Sequence, residues 1–206
     1  MSKPVYLVAD VDYAAGRDIV ALSEAAVRGG VTVVQLRAKS LPFREFQELG
    51  LTAAGRLAGT GVPLLVNDRV DVALACGAAG VHLGQEDVSV LAARKALGPD
   101  KIIGVSVNTV GEARRAEEDG ADYLGAGPAY PTATKETALT VLGPEKLGLL
   151  RRAVGIPVVA IGGITAANAA DLARAGVDGI AVVSAVLGAP DARQAAAELR
   201  RAFKPS

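Results

Sequence analysis

Residues 158–183 read VVAIGGITAANAADLARAGVDGIAVV, and this stretch decides the fold. It opens with an aliphatic run, Val158–Ile161, and crosses Gly162-Gly163. A helical segment follows over Ala166–Ala175, stops at Gly176, and gives way to a second aliphatic run, Gly179–Val183. Runs rich in Val and Ile that are apolar at nearly every position suit strands buried on both faces of a parallel sheet. A glycine directly after the last helical residue is a C-cap signal. The segment therefore reads as one strand–helix–strand unit.

Working outward, the unit recurs. Aliphatic runs at Val5–Ala9, Val31–Leu36, Pro63–Val66, Gly80–Leu83, Ile102–Val105 and Tyr123–Gly125 bring the total to eight. Helical patterns lie between them at Gly16–Arg28, Leu41–Leu57, Asp68–Cys76, Val88–Leu97, Thr109–Glu118 and Pro144–Arg152, and Asp191–Phe203 follows the last run. Eight strand-then-helix units in 206 residues predict an α/β fold of the (β/α)8 TIM barrel type, as one compact domain over residues 1–206. A doubly wound open sheet is the rival, but it usually needs fewer strands and a switch point.

Half of the residues are hydrophobic, enough for a chain of this size to bury about 70% of its unfolded surface. Intrinsic disorder is thereby set aside. Lys and Arg total 22 and Asp and Glu total 22, so the basic excess of a nucleic-acid binder is missing. The single cysteine, Cys76, excludes an internal disulfide and a thiolate cluster, and fits a cytoplasmic setting. The longest uncharged stretch, Ala153–Ala170, is broken by Gly155, Pro157, Gly162 and Gly163, which argues against a membrane span. Met1–Tyr6 runs toward Asp10 and Asp12 rather than into the apolar core of a signal peptide.

In a barrel of this type the chemistry sits at the C-terminal ends of the strands. After strand 2, side-chain alternation places Gln35, Arg37 and Lys39 on the inner face and Leu36 and Ala38 on the outer one. Two cations and an amide at a barrel mouth suit a strongly anionic ligand; a salt-bridge network closing the core is the plainer alternative. Asn67-Asp68 follows strand 3, and Gly84-Gln85-Glu86-Asp87 follows strand 4. Neighbouring strands lie about 4.8 Å apart, so Asp68 and Asp87 can reach a common ion. Mg²⁺ accepts one or two carboxylates and completes its shell with water and phosphate oxygens. Both acids also stand directly before helical patterns, where Asp is a favoured N-cap.

Ser106 ends strand 5; its hydroxyl suits a phosphate, a ring nitrogen or a helix cap. The loop Gly127-Pro128-Ala129-Tyr130-Pro131-Thr132-Ala133-Thr134-Lys135 reads as a lid, with Lys135 delivering charge. Gly162-Gly163 after strand 7 and Val183-Ser184 after strand 8 fall where such barrels bind phosphate monoesters. His82, the only histidine, lies within strand 4 and reads as a satisfied wall residue. Cys76 reads as inert packing, and Glu86 is a candidate base by position alone. Two anion sites result: Arg37, Lys39 and Lys135 with a metal on Asp68 and Asp87, and backbone at Gly163 and Ser184.

This set of motifs, from Gln35-Leu36-Arg37-Ala38-Lys39 through Gly80–Asp87 and Pro131–Lys135 to Ala160–Ile164, resembles thiamine phosphate synthase across nearly the whole chain. The resemblance implies a Mg²⁺-dependent transferase that joins hydroxymethylpyrimidine diphosphate to a thiazole phosphate, carboxylated or not, and releases pyrophosphate. It assigns Gln35, Arg37, Lys39, Asn67, Ser106 and Lys135 to the pyrimidine diphosphate and Asp68 and Asp87 to the metal. Arg37, Lys39 and Lys135 become the catalytic cations. Thr132, Thr134, Gly163, Val183 and Ser184 fall to the thiazole phosphate. The family commonly has Glu where Ala38 stands; on the outer face, that change is expected to affect only packing or the residues that support the mouth from behind. The partners implied are these small molecules, with no nucleic acid and no membrane, and homo-oligomerisation stays open. A thiazole tautomerase of similar fold and a non-catalytic barrel that binds a phosphorylated metabolite are the alternatives. Neither gives Asp68 and Asp87 a task.

Overall fold

A computed structural model describes residues 3–132 and 140–204. Eight parallel strands close into a barrel in sequence order. They are β1 (Val5–Asp10), β2 (Val33–Arg37), β3 (Leu64–Asn67), β4 (Gly80–Leu83), β5 (Ile102–Val107), β6 (Tyr123–Ala126), β7 (Val158–Ile161) and β8 (Gly179–Val182). The helices packed around them are α1 (Val11–Ala14), α2 (Ile19–Arg28), α3 (Phe43–Leu57), α4 (Val70–Ala75), α5 (Val90–Leu97), α6 (Val110–Glu118), α7 (Gly143–Arg152), α8 (Ala169–Arg174), α9 (Ser184–Leu187) and α10 (Ala192–Ala202). All eight expected strands are present, and the barrel closes through β1–β8 pairing, which rules out the open sheet. Among the described residues no helix is long and apolar enough to cross a membrane.

The helix starts differ from the sequence reading in one instructive respect. Helices α5 and α6 begin on Ser89 and Thr109, whose hydroxyls accept the Ala92 and Glu112 amides. Helix α4 begins after Arg69 with no side-chain cap. Neither Asp68 nor Asp87 caps a helix, so both carboxylates are left for other work. The four-residue helices α1 and α9 escape a reading by periodicity because a single turn shows no repeat.

Alternation divides the strands into two apolar layers. Outward residues such as Leu7, Leu36, Val66, Leu83, Ile103, Leu124, Ala160 and Ile180 pack beneath the helices in the large core. Inward residues Val8, Val33, Leu65, Tyr123, Val159 and Ala181 form a separate core along the axis. Ala38 is buried in the outer layer, as alternation requires. Cys76 is buried there too, and burial pushes its thiol upward, which suits a packing role.

Two tyrosines from β1 and β6 supply the aromatic mass at the axis. Tyr6 and Tyr123 lie with ring centroids 5.4 Å apart, and Gly104 supplies the space for the Tyr123 ring. A Cβ on Gly104 would fall 2.2 Å from Tyr123 Cζ, and one on Gly125 would fall 2.8 Å from His82 Cε1. Gly104→Ala is therefore expected to cost about 2 kcal/mol through overpacking. Thermal unfolding followed by circular dichroism should show Tm falling by several degrees; an unchanged Tm would mean the ring has room to move.

Candidate active site

An open cavity occupies the C-terminal mouth of the barrel. Its floor is the apolar axial layer of Val8, Val159 and Ala181, and its polar wall is a chain of hydrogen bonds. Gln35 bonds the Tyr123 hydroxyl. That hydroxyl is 2.9 Å from His82 Nδ1, and His82 Nε2 is 2.9 Å from Ser106 Oγ. Both ring nitrogens of His82 are thus engaged, as expected for a wall histidine. Burial raises the Tyr123 hydroxyl well above its ordinary value, with Tyr6 adding to the effect. Burial also pushes Tyr6 up to about 12. Both phenols stay neutral and serve as hydrogen-bonding groups over an apolar floor, a setting that suits a flat heteroaromatic ring with polar edges.

Arg37 enters the same cavity from β2. Its Nη1 pairs with Oδ2 of Asp10 at the end of β1, the neighbouring residue in the strand register. Arg37 Nε is buried and has no hydrogen-bond partner among the described residues. A buried donor left unpaired costs about 1–3 kcal/mol. Lys39 lies beyond the end of β2. Strict alternation puts it in the cavity with Arg37, but with the strand ended it sits at the rim, 59% exposed, with Nζ 3.3 Å from Asp68 Oδ2.

Asp68 and Asp87 meet as the spacing predicts. The Asp68 carboxyl is in hydrogen-bonding contact with that of Asp87. Burial above all, then the neighbouring Asp87, raises Asp68 above the usual carboxylate range, while Lys39 pulls the other way. Asp87 Oδ2 also accepts the Gly84 amide at 2.6 Å. Asp68 is a non-glycine residue in the left-handed region, at φ +63°, a conformation that costs about 1 kcal/mol or more and clusters at functional sites. Among the described residues there is no group of three or more metal-ligating side chains. Two carboxylates on adjacent loops, beside open solvent, are the donor set of a hard divalent cation that keeps waters and substrate oxygens. They do not suit a fully protein-liganded zinc.

Across the mouth, Gly162 and Gly163 adopt positive φ (98° and 66°) for a reason beyond anion access. A Cβ on Gly162 would lie 2.8 Å from Pro128 Cβ, and one on Gly163 2.6 Å from the Pro131 carbonyl oxygen. The root of the predicted lid is strapped onto this turn. The Ala129 amide donates to Ile161 O (2.8 Å) and the Tyr130 amide to Gly162 O (3.0 Å). Asn168 shapes the rest of the turn, donating to Gly163 O (2.9 Å) and accepting the Thr165 amide (2.8 Å). Thr132, Gly163, Val183 and Ser184 line the cavity on this side.

Of the residues named from the sequence, Gln35, Arg37, Asn67, Ser106, Thr132, Gly163, Val183 and Ser184 share the one cavity. Asp68, Asp87 and Lys39 gather together outside its lining, next in sequence to the lining residue Asn67 in the case of Asp68. Thr134 and Lys135 lie outside the described residues, as does the centre of the lid. Glu86 is exposed and does not line the cavity. The sequence reading missed Asp10, Tyr6 and Tyr123. Asp10 carried a usable signal, since it stands where β1 ends and shares the parity of the inward Val8.

The Thiamine monophosphate synthase family model matches residues 5–186 of the chain. The chain is similar to thiamine-phosphate synthase of Chloroflexus aurantiacus, at 51% identity over 95% of this chain and 90% of the relative. The Moorella thermoacetica thiamine-phosphate synthase is 48% identical over 95% and 93%. Among solved structures, thiamine phosphate pyrophosphorylase from Pyrococcus furiosus superposes with a TM-score of 0.89 at 44% identity, covering 97% of this chain and 95% of that one.

The acid pair has a consequence for stability. A carboxyl raised in the folded state adds stability below its ordinary value, and that contribution is lost as pH climbs through the raised value. In metal-free protein, Asp68→Asn removes this loss. Its Tm should exceed the wild-type Tm at pH 7, and the difference should close at pH values below the ordinary aspartate range. A variant less stable than wild type at pH 7 would show that the two acids do not oppose each other.

Proposed function

Because the chain belongs to the thiamine monophosphate synthase family, a family of transferases in thiamine biosynthesis, we propose how its barrel mouth forms thiamine phosphate. The substrates are hydroxymethylpyrimidine diphosphate and a thiazole phosphate. The pyrimidine ring rests on Val8, Val159 and Ala181, with its polar edge toward Gln35 and Ser106. Arg37, Lys39, Asn67 and Lys135 hold its diphosphate. The thiazole phosphate binds opposite, at Thr132, Thr134, Gly163, Val183 and Ser184. One observation carries the reading: two acids that cap no helix converge beside Lys39, next to a cavity lined by Arg37 on one side and by the Gly162-Gly163 turn and Ser184 on the other. A tautomerase or a binding barrel has no use for the acid pair.

The reaction asks little of a base. The bond between the pyrimidine methylene carbon and the diphosphate oxygen breaks, and the electron pair leaves with pyrophosphate. The thiazole nitrogen lone pair then forms the new carbon–nitrogen bond. Charge builds on the departing oxygens, so fixed cations aimed at those oxygens lower the barrier more than they tighten substrate binding. Arg37 contributes a forked, oriented donor and Lys39 and Lys135 contribute point charges. Asp68 and Asp87 would hold Mg²⁺, which when bound supplies Lewis-acid neutralisation of the diphosphate. The chain of Gln35, Tyr123, His82 and Ser106 orients the ring. The single cysteine fits a cytoplasmic setting for this chemistry.

Purified protein should make thiamine phosphate from the two phosphorylated halves, and excess chelator should abolish product; robust turnover in chelator would remove the metal from this account. Asp87→Ala should lower kcat by about a hundredfold while the circular-dichroism spectrum is retained. Lys135→Ala should lower kcat more than it raises the KM for thiazole phosphate, as expected for a contact made in the transition state. An effect confined to that KM would move Lys135 to the other subsite.

A further inference from the structure

Asp10 is an acid inside an anion site. It is 4% exposed, lines the cavity with Arg37, and stands opposite it in the β1–β2 register. Its two oxygens have separate tasks. Oδ2 pairs with Arg37 Nη1. Oδ1 accepts the amides of Asp12 (3.1 Å) and Tyr13 (3.3 Å) and so starts α1. A second hollow joins Asp10, Tyr13 and Arg37 to Thr132, Gly163 and Ser184. Asp10 therefore lies between the two proposed anion subsites, bonded to the cation of one and supporting the wall of the other.

A buried guanidinium with no acid beside it would attract whichever phosphate arrived, because electrostatic attraction gains strength away from bulk water. An acid on one arm of the fork fixes the plane of the guanidinium and leaves its remaining donors to point one way. Its negative charge also repels a second anion approaching from its own side, and selectivity of this kind needs a repulsive element as well as an attractive one. We infer that Asp10 is a positioning and specificity-determining residue: it aims Arg37 at the diphosphate and denies that guanidinium to the thiazole phosphate. The inference rests on the reading that Arg37 holds the diphosphate.

Asp10→Asn keeps an oxygen for the α1 amides and removes the charge. The KM for pyrimidine diphosphate should rise about tenfold, with the KM for thiazole phosphate nearly unchanged. Thiazole phosphate at high concentration should become an inhibitor competitive with the diphosphate substrate. In an Arg37→Ala background the same change should add nothing, since its effect passes through the guanidinium. A parallel rise in both KM values without new inhibition overturns the proposal, as does an Asp10→Asn penalty that persists undiminished beside Arg37→Ala. If Arg37→Ala alone leaves the diphosphate KM unchanged, the assignment of Arg37 fails, and this inference with it. Should Asp10→Asn lose the native circular-dichroism spectrum, Asp10→Ser, which keeps a hydroxyl acceptor for α1, carries the same expectations.

Discussion

The ring of Tyr123 reaches the barrel axis because its register partner on the adjacent strand, Gly104, has no side chain. A closed sheet of eight short strands must fill its own centre, since inward side chains have no other layer to pack against. Here Tyr6 and Tyr123 supply the bulk, while Gly104 and Gly125 keep clear the space that Tyr123 and His82 occupy. The polar tips of those residues become the wall of the cavity, with both nitrogens of His82 bonded at 2.9 Å. The polar wall thus begins as a packing problem, and the chain from Gln35 to Ser106 follows from its solution.

Around this hydrogen-bonded wall the mouth carries charges that are costly to keep. Asp68 and Asp87 oppose each other, and Asp68 holds a left-handed backbone conformation. Arg37 keeps a buried N–H without a partner among the described residues. Each feature lowers the stability of the fold, and on the proposed function each is a point at which phosphate oxygens or a divalent cation would offset that cost. Stability given up at the rim is supplied by the two apolar layers, which bury strand residues on both faces.

The fold was legible in the sequence because each strand–helix unit carries its own punctuation, as Gly176 does between α8 and β8. The site was legible in part. Alternation placed Gln35 and Arg37 in the mouth and Ala38 in the outer core correctly, because β2 continues through Arg37. It overreached at Lys39, where the chain has left the sheet and period-two geometry no longer holds. Tyr6 and Tyr123 were missed because a strand apolar on both faces shows no alternation, so its inward side cannot be told from its outward side.

From the order of residues alone follow the eight strand–helix units, and the acids, cations and glycines that end them, since these depend on local periodicity and capping. The tertiary structure decided which side of each strand faces the axis. It also decided that Asp10 meets Arg37, 27 positions away, and that Asp68 meets Asp87 rather than a helix start. Such contacts are set by the stagger and closure of the whole barrel, to which all eight strands contribute, and no single segment encodes them.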